Sequence, residues 1–134
     1  MRLLYHCILL SLLTCVFYAC GDGGCNVVPN VAFNVTISQG SNPKLFATGG
    51  IDYASGGACG LLLYNTGNGI IAYDRCSTVN PEKRTQVVAE GFVISDPSSG
   101  AKWLLIDGSP SHIAECPLRP YRVSQNGAYY TVSN

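Results

Sequence analysis

Residues 102–123 read KWLLIDGSPSHIAECPLRPYRV, and this stretch limits the fold more than any other. Pro117 and Pro120 have no backbone donor and hold φ at about −65°, so no helix can run through them. The run Trp103-Leu104-Leu105-Ile106 leads into the turn pair Asp107-Gly108 and a loop with Ser109, Pro110 and Ser111. The strand-like run Tyr121-Arg122-Val123 then follows. A strand, a proline-stiffened return and a second strand fit such a stretch.

The rest of the chain carries the same signals. Val31, Phe33, Val35 and Ile37 alternate with Ala32, Asn34 and Thr36, the period of a strand. Leu45-Phe46-Ala47 reads as a short strand or coil, and residues 49–60 as a loop rich in glycine and serine. Residues 61–64 and 69–73 flank Asn65-Thr66-Gly67-Asn68, which predicts a β-hairpin. Residues 86–89 and 92–94 flank Glu90-Gly91 and predict a second one. Asp96-Pro97-Ser98-Ser99-Gly100 is a tight loop, and Gln125-Asn126-Gly127 turns the chain into residues 128–132. No stretch after Cys20 has a convincing helical period. Roughly eight to ten short strands predict an all-β domain over residues 31–134, a small sandwich or open barrel.

Charged residues make up 12% of the chain and the formal net charge is zero, which argues against a nucleic-acid partner. The amino end has Arg2 followed by an almost wholly apolar run to Val16, shorter than a bilayer span and suited to a secretory signal. It closes on Tyr18-Ala19-Cys20, which resembles a bacterial lipobox with Phe17 in place of the usual Leu. The expectation is a signal peptide over residues 1–19, lipidation of Cys20 and a flexible tether over residues 20–30. Cys15 is a second candidate, and a plain signal peptide or an uncleaved anchor would leave a similar run. Export admits disulfides among Cys25, Cys59, Cys76 and Cys116. Four cysteines allow three pairings, which sequence cannot rank, and Cys59 with Cys116 is one guess. Their scattered spacing does not suggest zinc.

From Gly60 onward the order of short motifs resembles a Rieske-type domain. An apolar strand pair reaches AYDRC, a loop and a hairpin follow, and then come DPSSGAKW, IDGSPS and PLRPYRV. The likeness covers roughly residues 32–132 and is greatest to Rieske-type lipoproteins of certain Gram-negative bacteria. It implies a Rieske-like β-domain. In that family two thiolates and two imidazoles, from a C-x-H loop and a C-x-x-H loop, hold a [2Fe-2S] cluster. Here Cys76 and Thr78 stand at the first pair of positions, and Asp96 and Ser99 at the second. Beyond the signal the chain has a single histidine, His112, which matches no ligand position. Hard oxygen donors match such a cluster poorly. Cys76 reads as a surviving ligand or, preferably, as a half-cystine or small buried residue.

Other chemistry is sparse. Ser111, His112 and Asp107 contain the residue types of a hydrolytic triad, but neighbours on a strand point to opposite faces. Asp74, Asp96 and Asp107 read as turn formers. The sequence therefore leads to a cell-envelope lipoprotein on the periplasmic or outer-membrane side, held at the membrane by its lipid. Its Rieske-like domain is expected to carry no cofactor or metal, to be no enzyme, and to serve a protein partner that sequence does not identify. Electron transfer through a [2Fe-2S] cluster with atypical ligands is the alternative, and a hydrolase is the third reading.

Overall fold

The computed structural model describes residues 24–134. The expected signal segment, Cys20 and the start of the tether lie outside the described residues. The ten strands are β1 (Asn34–Ile37), β2 (Ile51–Ala54), β3 (Leu61–Asn65), β4 (Ile70–Asp74), β5 (Val88–Glu90), β6 (Val93–Ser95), β7 (Lys102–Leu104), β8 (Pro110–His112), β9 (Pro120–Asn126) and β10 (Tyr129–Ser133). Six of them form one sheet in the order β1-β10-β9-β4-β3-β2, and β5-β6-β7-β8 form a second. Neighbours in both sheets run antiparallel. The all-β expectation holds. Among the described residues the helical elements are two short 3-10 turns.

The uninterrupted run Leu61-Leu62-Leu63 explains how the sheets are joined. All three side chains are fully buried. Period-two alternation sends Leu61 and Leu63 into one core with Ile37, Leu45, Ile70, Ala72, Tyr121 and Val132. Leu62 and Tyr73 point the other way, into a second core with Val87, Ile94, Trp103 and Leu118. A strand buried on both faces needs no polar alternation, so β3 is the seam between the two regions.

Four local expectations are corrected. Residues 49–60 contain β2, an edge strand whose half-buried side chains carry a weak periodic signal. Leu45 lies in a 3-10 turn over Pro43–Phe46, started by the fixed φ of Pro43. Residues 110–112 form β8 against β7 instead of a loop. The second hairpin turns at Gly91-Phe92, with Glu90 still paired to Val93. Gly91 takes up the positive φ, 63°, that such a tight turn requires.

Candidate functional site

Loop 76–78 leaves β4 and loop 96–100 joins β6 to β7, and the two meet at one end of the molecule. Asp96 joins them. Its carboxylate is buried and accepts the hydroxyl hydrogens of Ser77 at 2.7 Å and Ser99 at 2.7 Å on one oxygen. The other oxygen accepts the N–H of Ser98 at 2.8 Å and of Ser99 at 3.3 Å. Burial pushes the carboxyl pKa upward, but the four hydrogen bonds outweigh it and hold Asp96 below its ordinary value. Thr78 turns away from this pair. Its hydroxyl donates to the Cys116 carbonyl at 2.8 Å, which also accepts Trp103 Nε1–H at 2.8 Å. A third loop, 113–119, is thereby fixed to the other two, and together they form a tip.

Cys76 Sγ is bonded to Cys59, and Cys25 to Cys116, with sequence separations of 17 and 91. The guessed Cys59–Cys116 pair is therefore corrected. Cys59 is drawn to Cys76 by the neighbouring Asp74. This fully buried carboxylate accepts N–H groups from Ala58 at 2.6 Å, Cys59 at 3.2 Å and Cys76 at 2.8 Å, and the Tyr121 hydroxyl at 2.6 Å. Burial first, and then the bond to Asp74, push the Tyr121 hydroxyl pKa well up, so it stays a donor. Gly57 permits this approach, since a Cβ there would sit 2.4 Å from Asp74 Oδ2 at a φ of +61°.

Asp74 is therefore more than the turn former expected from sequence. The available signal was an acid two residues before a cysteine, where its oxygen can take the Cys76 N–H. Ser77, the donor across the loops, sat unnoticed between two matched positions. The ligand-capable atoms of Cys59, Asp74 and Cys76 lie within 4.8 Å of one another. With both sulfurs in a disulfide and the carboxylate filled by donors, they are not open metal ligands.

The expected tether is corrected over residues 25–30, which are fastened to the domain. Besides the disulfide from Cys25, Val28 is buried. Arg119 donates to Asn26 Oδ1 at 2.7 Å, the Val28 carbonyl at 3.1 Å and Asn30 Oδ1 at 2.9 Å. A groove of about 370 Å³ lies along this strap, lined by Val28, Thr78, Leu118 and Arg119 among others. Of the triad types, His112 is exposed on β8. Asp107 accepts the Ser109 hydroxyl at 2.6 Å and N–H at 2.9 Å, bonds that hold its carboxyl below the ordinary value. This is a turn, without a nucleophile–base pair.

The four positions matched to cluster ligands do come together at one end of the fold. They do not fit a [2Fe-2S] cluster. Cys76 sulfur is committed to Cys59, Asp96 is filled by serine donors, Thr78 is bonded to a carbonyl, and Ser99 donates to Asp96. Cluster chemistry needs thiolate and imidazole donors at these points.

Compared with protein-family models and with the curated proteins, the chain matches none. Among solved structures it is similar to a chain of the complex of reduced oxygenase and oxidized ferredoxin in carbazole 1,9a-dioxygenase. The TM-score is 0.54 and the identity 21%, over 75% of this chain and 92% of that chain. Sphingomonas yanoikuyae B1 ferredoxin is a more distant neighbour, with TM-score 0.45 and 16% identity over 56% of this chain and 74% of that one. The domain has a Rieske-like fold, as the order of its motifs implied.

Proposed function

We propose that this chain is a lipid-anchored protein of the cell envelope whose Rieske-like domain does no redox chemistry and works as a binding or accessory module for a protein partner. One observation carries the reading: both loops that would supply cluster ligands are closed by other bonds, Cys76 by its disulfide and Asp96 by Ser77 and Ser99. A fold that gathers three loops at one end without a metal offers a rigid recognition surface, and function follows the site rather than the fold. The membrane attachment rests on Tyr18-Ala19-Cys20.

The test is anaerobic reconstitution of the purified protein with iron and sulfide. The expected product is colourless and silent in electron paramagnetic resonance, with only background iron. A reducible two-iron signal at stoichiometric iron overturns the reading and makes the domain an electron carrier.

A further inference from the structure

The strap gives the anchor a direction. Among the described residues Cys25 is the first fastened to the domain by a side chain, and its disulfide ends at Cys116, in the loop whose carbonyl receives both Thr78 and Trp103. Five residue steps separate Cys25 from Cys20. Fully extended, they reach at most about 18 Å. The far end of the large sheet lies well beyond the tip. From Pro120, beside the third loop, β9 runs seven residues to Asn126, a length of roughly 20 Å at a strand's rise.

The tip also presents an apolar side chain in an unusual way. Ile113 has a φ of +62°, and the Ala114 N–H donates to the His112 carbonyl at 2.7 Å across it. This is a γ-turn of the rare, strained hand, centred on a β-branched residue that ordinarily avoids positive φ. The side chain is 56% exposed, next to Gly100 of the second loop. Strain of this kind persists where the surrounding structure enforces it and is often found where a segment meets a ligand.

We infer that the three-loop tip faces and touches the lipid surface that holds Cys20, with Ile113 at the contact, leaving the far end of the large sheet exposed to the partner. The inference rests on the proposed lipidation of Cys20. A bilayer is the occupant favoured by the short leash, because any other partner for the tip would have to fit into the narrow space between domain and membrane.

The chain has one tryptophan, Trp103, which is buried beneath the tip with its Nε1–H on the Cys116 carbonyl. The acylated full-length protein is placed in vesicles of equal parts phosphatidylcholine and phosphatidylglycerol carrying a dansyl-headgroup lipid, and energy transfer from tryptophan is read. Transfer from Trp103 is expected to be several-fold more efficient than in Trp103→Phe/Tyr129→Trp, which moves the indole to the far end. With Trp103 retained, Tyr129→Trp alone should lower the mean transfer, so the comparison does not depend on how Trp103→Phe folds. Ile113→Asp should reduce transfer from Trp103. Equal transfer from both ends, or greater transfer from position 129, overturns the orientation even when the acyl mass is present. Unchanged transfer in Ile113→Asp overturns the contact. Absence of acyl mass at Cys20 in membrane-derived protein overturns the lipidation itself, and the orientation with it.

Discussion

The six-stranded region and the tip of the four-stranded region are held together by different physics. Around β1, β3, β4, β9 and β10 the bonds between elements are ladders, and the interior is aliphatic with Phe33 packed edge-on to Tyr121 at 4.6 Å. Burial of apolar area suffices there. At the tip and the joint beneath it, the three loops and the loop 57–59 have few ladder bonds and are held by two buried carboxylates, two disulfides and the twice-used carbonyl of Cys116. Loops expose backbone donors that a core cannot satisfy, so each must be given an acceptor. The comparison teaches that the end of this fold where a metal centre would organise the chain is organised here by oxygen and sulfur.

Breaking the packing beneath the tip should have the largest effect. Trp103→Ala empties the centre of the second core and removes the Nε1–H bond to Cys116, and should cost about 3–5 kcal/mol. Leu63→Ala, in the first core, should cost about 2–5 kcal/mol. Hydrogen exchange separates them: the first should release β5 to β8 ahead of the large sheet, and the second both regions together. Equal loss of protection everywhere in both variants would mean that the regions do not differ in the way described.

Asp74→Ala strikes the joint between the regions. It strands three backbone N–H groups and the Tyr121 hydroxyl, and should cost about 3 kcal/mol in urea unfolding. A variant as stable as the parent would show that the loop 57–59 finds other acceptors.

Asp96→Asn should cost about 1–3 kcal/mol, because it replaces charge-assisted bonds from Ser77 and Ser99 by neutral ones. The effect has a pH signature. Asp96 titrates below its ordinary value of 3.8 in the folded protein, so its contribution is complete above 3.8. It fades as pH falls from there through the lower folded value. The difference between parent and variant should therefore be constant near neutrality and shrink in acid, followed by thermal melts. The exposed Asp107 shifts in the same direction and is present in both proteins, so it cancels. A gap that widens in acid contradicts the assignment.

Tyr121→Phe should have the smallest effect, about 1 kcal/mol, since it deletes one of four donors to Asp74 and leaves the ring against Phe33. A loss as large as that of Asp74→Ala would make the hydroxyl, and not the loop, the principal partner of the carboxylate.

Much of the large sheet was legible because its residues repeat a period: Val35 and Ile37 alternate, and the hairpin of β3 and β4 is punctuated by Asn and Gly. β2 and β8 were missed for the opposite reason. Each is short, half exposed and flanked by turn residues, and is made a strand by the neighbour it pairs with. At the site, motif order singled out Cys76, Thr78, Asp96 and Ser99, and their loops meet at one end of the fold. Their bonding was not legible. Which cysteine meets which depends on distances across 17 and 91 residues, and the part played by Ser77 depends on a rotamer and a neighbouring loop rather than on spacing.

The strap has a consequence for the order in which the molecule is completed. A chain made from its amino end presents Cys25 first, then Cys59 and Cys76, and Cys116 last. The small ring between Cys59 and Cys76 can close while the final third of the chain is still to come. Cys25 must pass over both of those sulfurs and wait, because its native partner arrives after nearly everything else. That long ring can close only once Cys116 has been made, by which point the first two loops and most of the third are already in the chain.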